Sequence, residues 1–202
     1  GFHDVCLEPL LSKIVQHIRS NISSTENIRT LSSNYEESLW LLKTLRRLFE
    51  KYLKASVEFS IDIDLSTVES SSHTAFWRKT FNECGVTGLC LDFIAVGIEQ
   101  PLTLEAINLL IVALSERGGN SEVQASIYEY LRGRDSTLFF MQIKEVLGEL
   151  LLWYQKDSDD AELKDISNEP DTIILPDETS VFTLLQMMCE GTHLPLKNFM
   201  RD

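Results

Sequence analysis

Pro101-Leu102-Thr103-Leu104-Glu105-Ala106-Ile107-Asn108-Leu109-Leu110-Ile111-Val112-Ala113-Leu114-Ser115-Glu116-Arg117-Gly118-Gly119-Asn120 is the stretch that decides the fold class. Pro101 and Thr103 supply a stop and a cap, and from Leu104 to Glu116 the residues are apolar nearly all round. A helix with no wet side has to be central and buried, with other elements packed about it. Gly118-Gly119 ends it with the left-handed residue that a C-terminal stop favours. Asn120 then caps a helix over Ser121 to Leu131, with Glu122 and Gln124 near its first turn.

The same helical periodicity continues on both sides. Downstream, Gly133 breaks the chain and Asp135 caps a long helix through Phe139, Phe140, Ile143, Val146, Leu147, Leu150, Leu151 and Tyr154. Upstream, Thr87 to Gly97 and a stretch bearing Phe76, Trp77 and Phe81 read as helices. Asn34 caps another, with Leu41, Leu42, Leu45, Leu48, Phe49, Tyr52 and Leu53 inward and Arg46, Arg47, Glu50 and Lys51 on the wet side. Cys6 to Ile18 is helical, through Leu7, Leu10, Leu11, Ile14, Val15 and Ile18. Ser20 to Ser33 is polar and reads as a loop. Ser56 to Ser72 alternates only weakly and has no pairing partner, so it reads as a loop lying against the helices. Helices joined by short loops form antiparallel pairs, and stacked pairs make an all-α, armadillo- or HEAT-like solenoid. No exact repeat is present, and an isolated helical bundle is the competing architecture.

Residues 1–156 form the helical repeat domain on this reading. Asp157 to Glu178 holds nine carboxylates against Lys164 alone, a local net charge of −8, and is expected to be a flexible linker punctuated by Pro170 and Pro176. Residues 179–202 then begin a following helical unit, with a helix over Val181 to Glu190 and a last short one opened by Pro195. The chain begins at Gly1 without a Met and stops in that short helix, so a piece of something larger is expected.

Charge excludes some functions. Eighteen Lys and Arg against 31 Asp and Glu give a net charge of −13. Such a surface repels phosphate backbones and anionic lipid, so nucleic-acid binding is not expected. No window reaches the roughly 18 apolar residues of a membrane span, and the N-terminus lacks a signal-peptide layout. The four cysteines (Cys6, Cys84, Cys90, Cys189) are scattered and read as free cytosolic thiols. The four histidines (His3, His17, His73, His193) show no metal-ligand spacing, and His17 is expected in solvent. Asp157-Ser158-Asp159-Asp160 opens like a calcium loop, but Glu162 and Asn168 stand where an EF-hand requires Gly and Glu. No catalytic motif or constellation is found, so no enzyme is expected.

Several stretches resemble the intracellular calcium-release channels, the inositol trisphosphate and ryanodine receptors. Gly118-Gly119-Asn120-Ser121-Glu122-Val123-Gln124 is similar to their Gly-Gly-Asn turn and the helix after it, and Phe139-Phe140 to their paired Phe. Leu184-Leu185-Gln186-Met187-Met188-Cys189-Glu190-Gly191 resembles the family's Leu-Gln-Leu-Leu-Cys-Glu signature, and Asn198-Phe199-Met200-Arg201 its continuation. Glu36 to Arg46 and Asn82 to Phe93 resemble the inositol trisphosphate receptors. The likeness runs from Tyr35 to the end in matching order. Cys189-Glu190-Gly191 and the Asn120 turn lean to the ryanodine branch, but the balance favours the inositol trisphosphate receptors.

The resemblance implies a third armadillo-like solenoid running into the associated helical domain that leads to the pore. It implies a cytosolic segment of a homotetrameric channel at the endoplasmic reticulum membrane. The segment would relay ligand and calcium signals to the gate through other domains and subunits of the same channel. Glu190 matches the family carboxylate of the activating calcium site; the other ligands lie outside this chain, which carries half a site. Thr192 stands where the family has His, and His193 follows one place later. The trisphosphate-binding residues are not expected here, because no basic cluster is present. A free-standing helical scaffold, binding a partner peptide in a groove lined by Trp40, Trp77 or Trp153, is the alternative.

Overall fold

The computed structural model of the chain describes residues 7–23, 28–58, 76–97, 99–115, 120–133, 136–163, 179–190 and 193–201. Among these, nine helices and no strand are found: α1 (Leu7–Ser23), α2 (Ile28–Glu58), α3 (76–83), α4 (Val86–Val96), α5 (Gln100–Leu114), α6 (Ser121–Gly133), α7 (Ser136–Leu163), α8 (Ser180–Cys189) and α9 (Leu194–Arg201). The fold is all-α.

The helices pack with a period of three. α1 lies against α4 and α4 against α7; α2 lies against α5 and α5 against α8; α6 lies against α9. The remaining link, from α3 to α6, is made by Asn82, whose Nδ2 donates to Ser126 Oγ at 2.9 Å. Three columns of equivalent helices follow, so the chain stacks three layers of three helices each. This is the packing logic of an armadillo-like solenoid, with a three-helix repeat rather than the expected helix pair. It also moves the end of the chain: α8 and α9 stack on α5 and α6, and Val181, Leu184, Met188 and Leu196 share one core with α4 and α5. Residues 179–201 thus pack on α5 and α6 as a third layer.

α5 sits at the centre, with α2, α4, α6 and α8 all packed against it. Pro101 stands in its first turn, where a missing N–H costs nothing. The amides of Leu102 and Thr103 bond to the Glu99 carbonyl, both at 3.1 Å. Thr103 thus lies inside the first turn and is not the cap. Leu102, Leu104, Ile107, Leu109 and Leu110 are buried together with the polar Thr103 and Glu105. Around them α2 brings Leu42, Leu45 and Phe49, and α4 brings Leu89, Leu91, Phe93 and Ile94. Phe49 stacks on Phe81 of α3 with ring centroids 4.2 Å apart.

Glycine makes two of the joints. Gly85, at φ +81°, turns α3 into α4. Gly97, at φ +58°, closes α4 by donating its N–H to the Phe93 carbonyl at 3.1 Å. A side chain at Gly97 would also meet the movable end of Gln142 on α7, so it is the backbone angle that calls for glycine there.

Several boundaries differ from the sequence reading. α2 begins at Ile28, so Asn34 lies within a helix and is not its cap, and much of the stretch 20–33 is helical. The stretch read as a loop because its residues are mostly polar and show no apolar helical period. α7 runs on to Leu163, so the acidic stretch starts within a helix. Gly118-Gly119, the Asp135 cap, residues 59–75 and residues 164–178 lie outside the described residues. Among the described residues, no helix is long and apolar enough to cross a membrane.

Candidate functional site

Two of the stretches that carry the family resemblance meet in space, at the C-terminal end of α8. Asn120 caps α6 as expected, its Oδ1 accepting the Val123 N–H at 2.9 Å. That cap fixes the first turn of α6 and turns Val123, Gln124 and Ile127 inward. Gln124 is 0% exposed, a polar side chain within an apolar core. Its Nε2 donates to the carbonyls of Met187 at 2.9 Å and Glu190 at 2.6 Å. These carbonyls belong to the end of α8, where helix acceptors lack internal partners. Gln124 Oε1 is buried with no hydrogen-bond partner.

Glu190 is the residue at which the chain leaves α8, with φ −78° and ψ 168°. Its N–H still donates to the Gln186 carbonyl at 2.7 Å, while its exposed Oε1 accepts from Gln186 Nε2 at 2.5 Å. The carboxylate is thus presented to solvent from a backbone held on two sides. Cys189 beside it is exposed, and its thiol is free. Thr192 lies outside the described residues. His193 turns away and starts α9: its Nδ1 accepts the Leu196 N–H at 3.2 Å, and its ring lies 5.7 Å from that of Tyr128.

Calcium takes six to eight oxygen ligands. Among the described residues no group of three or more His, Cys, Asp or Glu could hold a metal ion. Among them, the carboxylate available at the end of α8 is that of Glu190, and the carbonyls of Met187 and Glu190 already accept from Gln124. Among the described residues the arrangement does not make a complete calcium site.

Beside the α8 end, Tyr128, Leu194, Pro195, Asn198 and Phe199 line an open groove of about 440 Å³. The tryptophans do not make the expected groove. Trp77 is 2% exposed and packs in the core, while Trp40, 64% exposed, stands on α2. The side chain of Trp153 lies outside the described residues.

Other polar groups sit where spacing alone did not put them. Arg46, expected on the wet side of α2, reaches inward. Its Nε donates to Glu105 Oε1 at 2.6 Å and its Nη1 to Glu50 Oε1 at 2.8 Å. The Glu105 side chain is 6% exposed, so this pair carries a charge into the centre of the stack. The hydrogen bond to Glu105 holds the guanidinium above its usual pKa against the opposing effect of burial. The single signal available was Glu105 itself, a lone acid in an otherwise apolar helix. His17 is exposed as expected and meets Glu37 at 3.0 Å. Burial pushes the Cys90 thiol far up, which keeps it protonated and inert.

Compared with family models, curated proteins and solved structures, the chain matches none.

Proposed function

We propose that the chain is a non-catalytic regulatory and coupling segment of a ligand-gated calcium-release channel. It would lie on the cytoplasmic face of the endoplasmic reticulum membrane and work within a homotetramer. Its role is to relay ligand and calcium binding toward the pore, and Glu190 supplies one carboxylate to a calcium site shared with another part of the channel. The inositol trisphosphate receptors are the favoured branch.

The observation that carries the reading is the Gln124 contact. The Asn120–Gln124 and Leu184–Glu190 stretches, which resemble the channel family independently, are joined by one buried amide. A stack of helices suits a relay, because each layer touches only its neighbours and displacement at one end must pass through all of them. A carboxylate on the outer end of α8 suits a shared ion, since occupancy then clamps two bodies together.

Size and fractionation of the native protein test this reading, with an antibody raised against the chain. A very large membrane-bound species is expected. A soluble species near 23.1 kDa overturns the channel reading. It would turn attention to the groove at Tyr128 and Phe199 as a peptide-binding surface. On the chain alone, calcium is expected to bind more weakly than ~0.1 mM, because one carboxylate cannot supply the full oxygen set. Tight binding that Glu190→Gln abolishes would contradict the half-site.

A further inference from the structure

We propose that the two ends of the stack bind one another, so that copies of this chain associate head to tail, the first layer of one copy on the third layer of the next. The inference goes beyond the channel reading and does not rest on it. Continuing the columns by one layer sets α1 and α2 of a second copy over α7 and α8 of the first.

The two end faces carry different chemistry. On α2, Trp40, Lys43, Arg47 and Lys51 recur at three- and four-residue steps, all exposed, opposite the buried Leu42, Leu45 and Phe49. Glu36 stands at the start of this stripe, and Lys13 is exposed on α1 of the same layer. Arg46, on the inward side of α2, is paired with Glu50 and Glu105. Among the described residues Lys43, Arg47 and Lys51 meet no carboxylate. A cationic face beside an exposed tryptophan is thus set apart in a chain of net charge −13.

At the other end, Met141, Glu145, Gly148 and Leu152 form one exposed stripe of α7, opposite the buried Phe139, Ile143 and Val146, with Lys144 at its margin. Phe182 and Glu190 are exposed on α8, and the last turns of α7 hold Asp157, Asp159, Asp160 and Glu162. Gly148 is the informative residue. A Cβ added there meets nothing within 4 Å, so no described neighbour requires glycine, although glycine weakens a helix interior relative to alanine. On this stripe it leaves the helix backbone open to close approach by another element.

Apolar side chains among acids at one end therefore match a tryptophan among bases at the other. Repulsion between the acidic bodies is screened beyond about 8 Å at physiological salt, whereas facing patches act at contact. Since the paired surfaces are different, the contact is heterologous, and a copy bound at one end keeps the other free.

Sedimentation of the full chain at increasing concentration tests this, starting from about 10 μM because a contact between two single faces is weak. The average mass should climb from 23.1 kDa past twice that value, with no stop at the dimer. Trp40→Ser with Arg47→Glu blocks the first layer, and Met141→Lys with Leu152→Lys blocks the third. Each pair should raise the concentration needed by more than about tenfold, the loss expected when anchoring contacts go. Val96→Lys, exposed on the middle layer, should leave association unchanged. The two blocked variants mixed together should form a one-to-one dimer and nothing larger, which also shows that both are folded.

A mass that stays at one chain up to about 1 mM overturns the proposal. So does wild-type association that ends at a dimer, since that means one face pairing with itself. An equal loss in Val96→Lys, or a mixture of blocked variants that stays monomeric while each keeps its helix content, overturns it as well.

Discussion

The middle and the third layers of the stack are built from equivalent helices and differ in what covers them. α4 and α5 have a column neighbour on either side, α1 and α7 for one, α2 and α8 for the other. They can be apolar almost all round, and Val96 is the large apolar side chain this layer exposes. α7, α8 and α9 have a described neighbour on one side. Phe139, Ile143 and Val146 of α7 face the core, while Leu138, Met141 and Leu152 lie on the opposite face in solvent. The difference teaches that all-round hydrophobicity reports position in a stack, not a special kind of helix. It also shows two ways of holding a layer: burial on both sides in the middle, and burial on one side plus a directed polar contact at Gln124 in the third.

The widest gap between the two layers should appear on truncation at their centres. Ile107→Ala in α5 is expected to cost about 4 kcal/mol, because covered neighbours cannot collapse into the cavity. Leu184→Ala in α8 should cost about 2–3 kcal/mol, since its layer can relax on the open side. Denaturant unfolding of both variants measures the difference, and equal losses would remove the contrast.

Alkaline titration probes the middle layer in a second way. In the unfolded chain Cys90 ionises near the ordinary thiol value of about 8.5, whereas burial keeps it protonated in the fold. Its pKa is raised on folding, so the unfolded state releases the proton first and stability falls as pH climbs above that value. The loss should approach about 1.4 kcal/mol per pH unit. Cys90→Ala should flatten the slope; an unchanged slope would show that the thiol is not shielded.

Gln124→Met should lower stability by about 1–2 kcal/mol, because the α8 carbonyls lose their donor while the buried Oε1 is also removed. Urea unfolding measures this loss, and a neutral result would show that the amide does not hold the third layer. The smallest effect belongs to Leu152→Ser on the outer face of α7, expected within about 0.5 kcal/mol in the same assay. A large loss there would mean that this face is covered and that the third layer is not open.

How much of this could be read from residue order depends on how far each interaction reaches. The all-α class was legible in Leu104–Leu114, because a helix-length stretch that is apolar nearly all round has to sit at the middle of a packed stack. The inward Leu42, Leu45 and Phe49 of α2 followed from their spacing, and the Asn120 cap from a contact three residues long. The three-helix period was not legible, since it lives in contacts between helices that share no repeated motif. Trp77 and Arg46 show the same limit. An aromatic and a cation look alike in sequence whether they face water or a buried partner, and Glu105 is 59 positions from Arg46. Glu190 stood out through resemblance alone. Its tie to Gln124 spans 66 positions and leaves no local signature.

The joint between the first and second helices of a layer governs how such a chain can change. In the middle layer α4 and α5 are linked through residues 97–99, and Gly97 turns there at φ +58°. In the third layer the same joint runs from Leu163 to Ser180, yet α7 still meets α4 and α8 still meets α5. Closing a longer loop costs little, about 0.6 kcal/mol for each doubling. The two joints thus connect the same two columns over very different lengths of sequence, and the short one depends on a left-handed glycine.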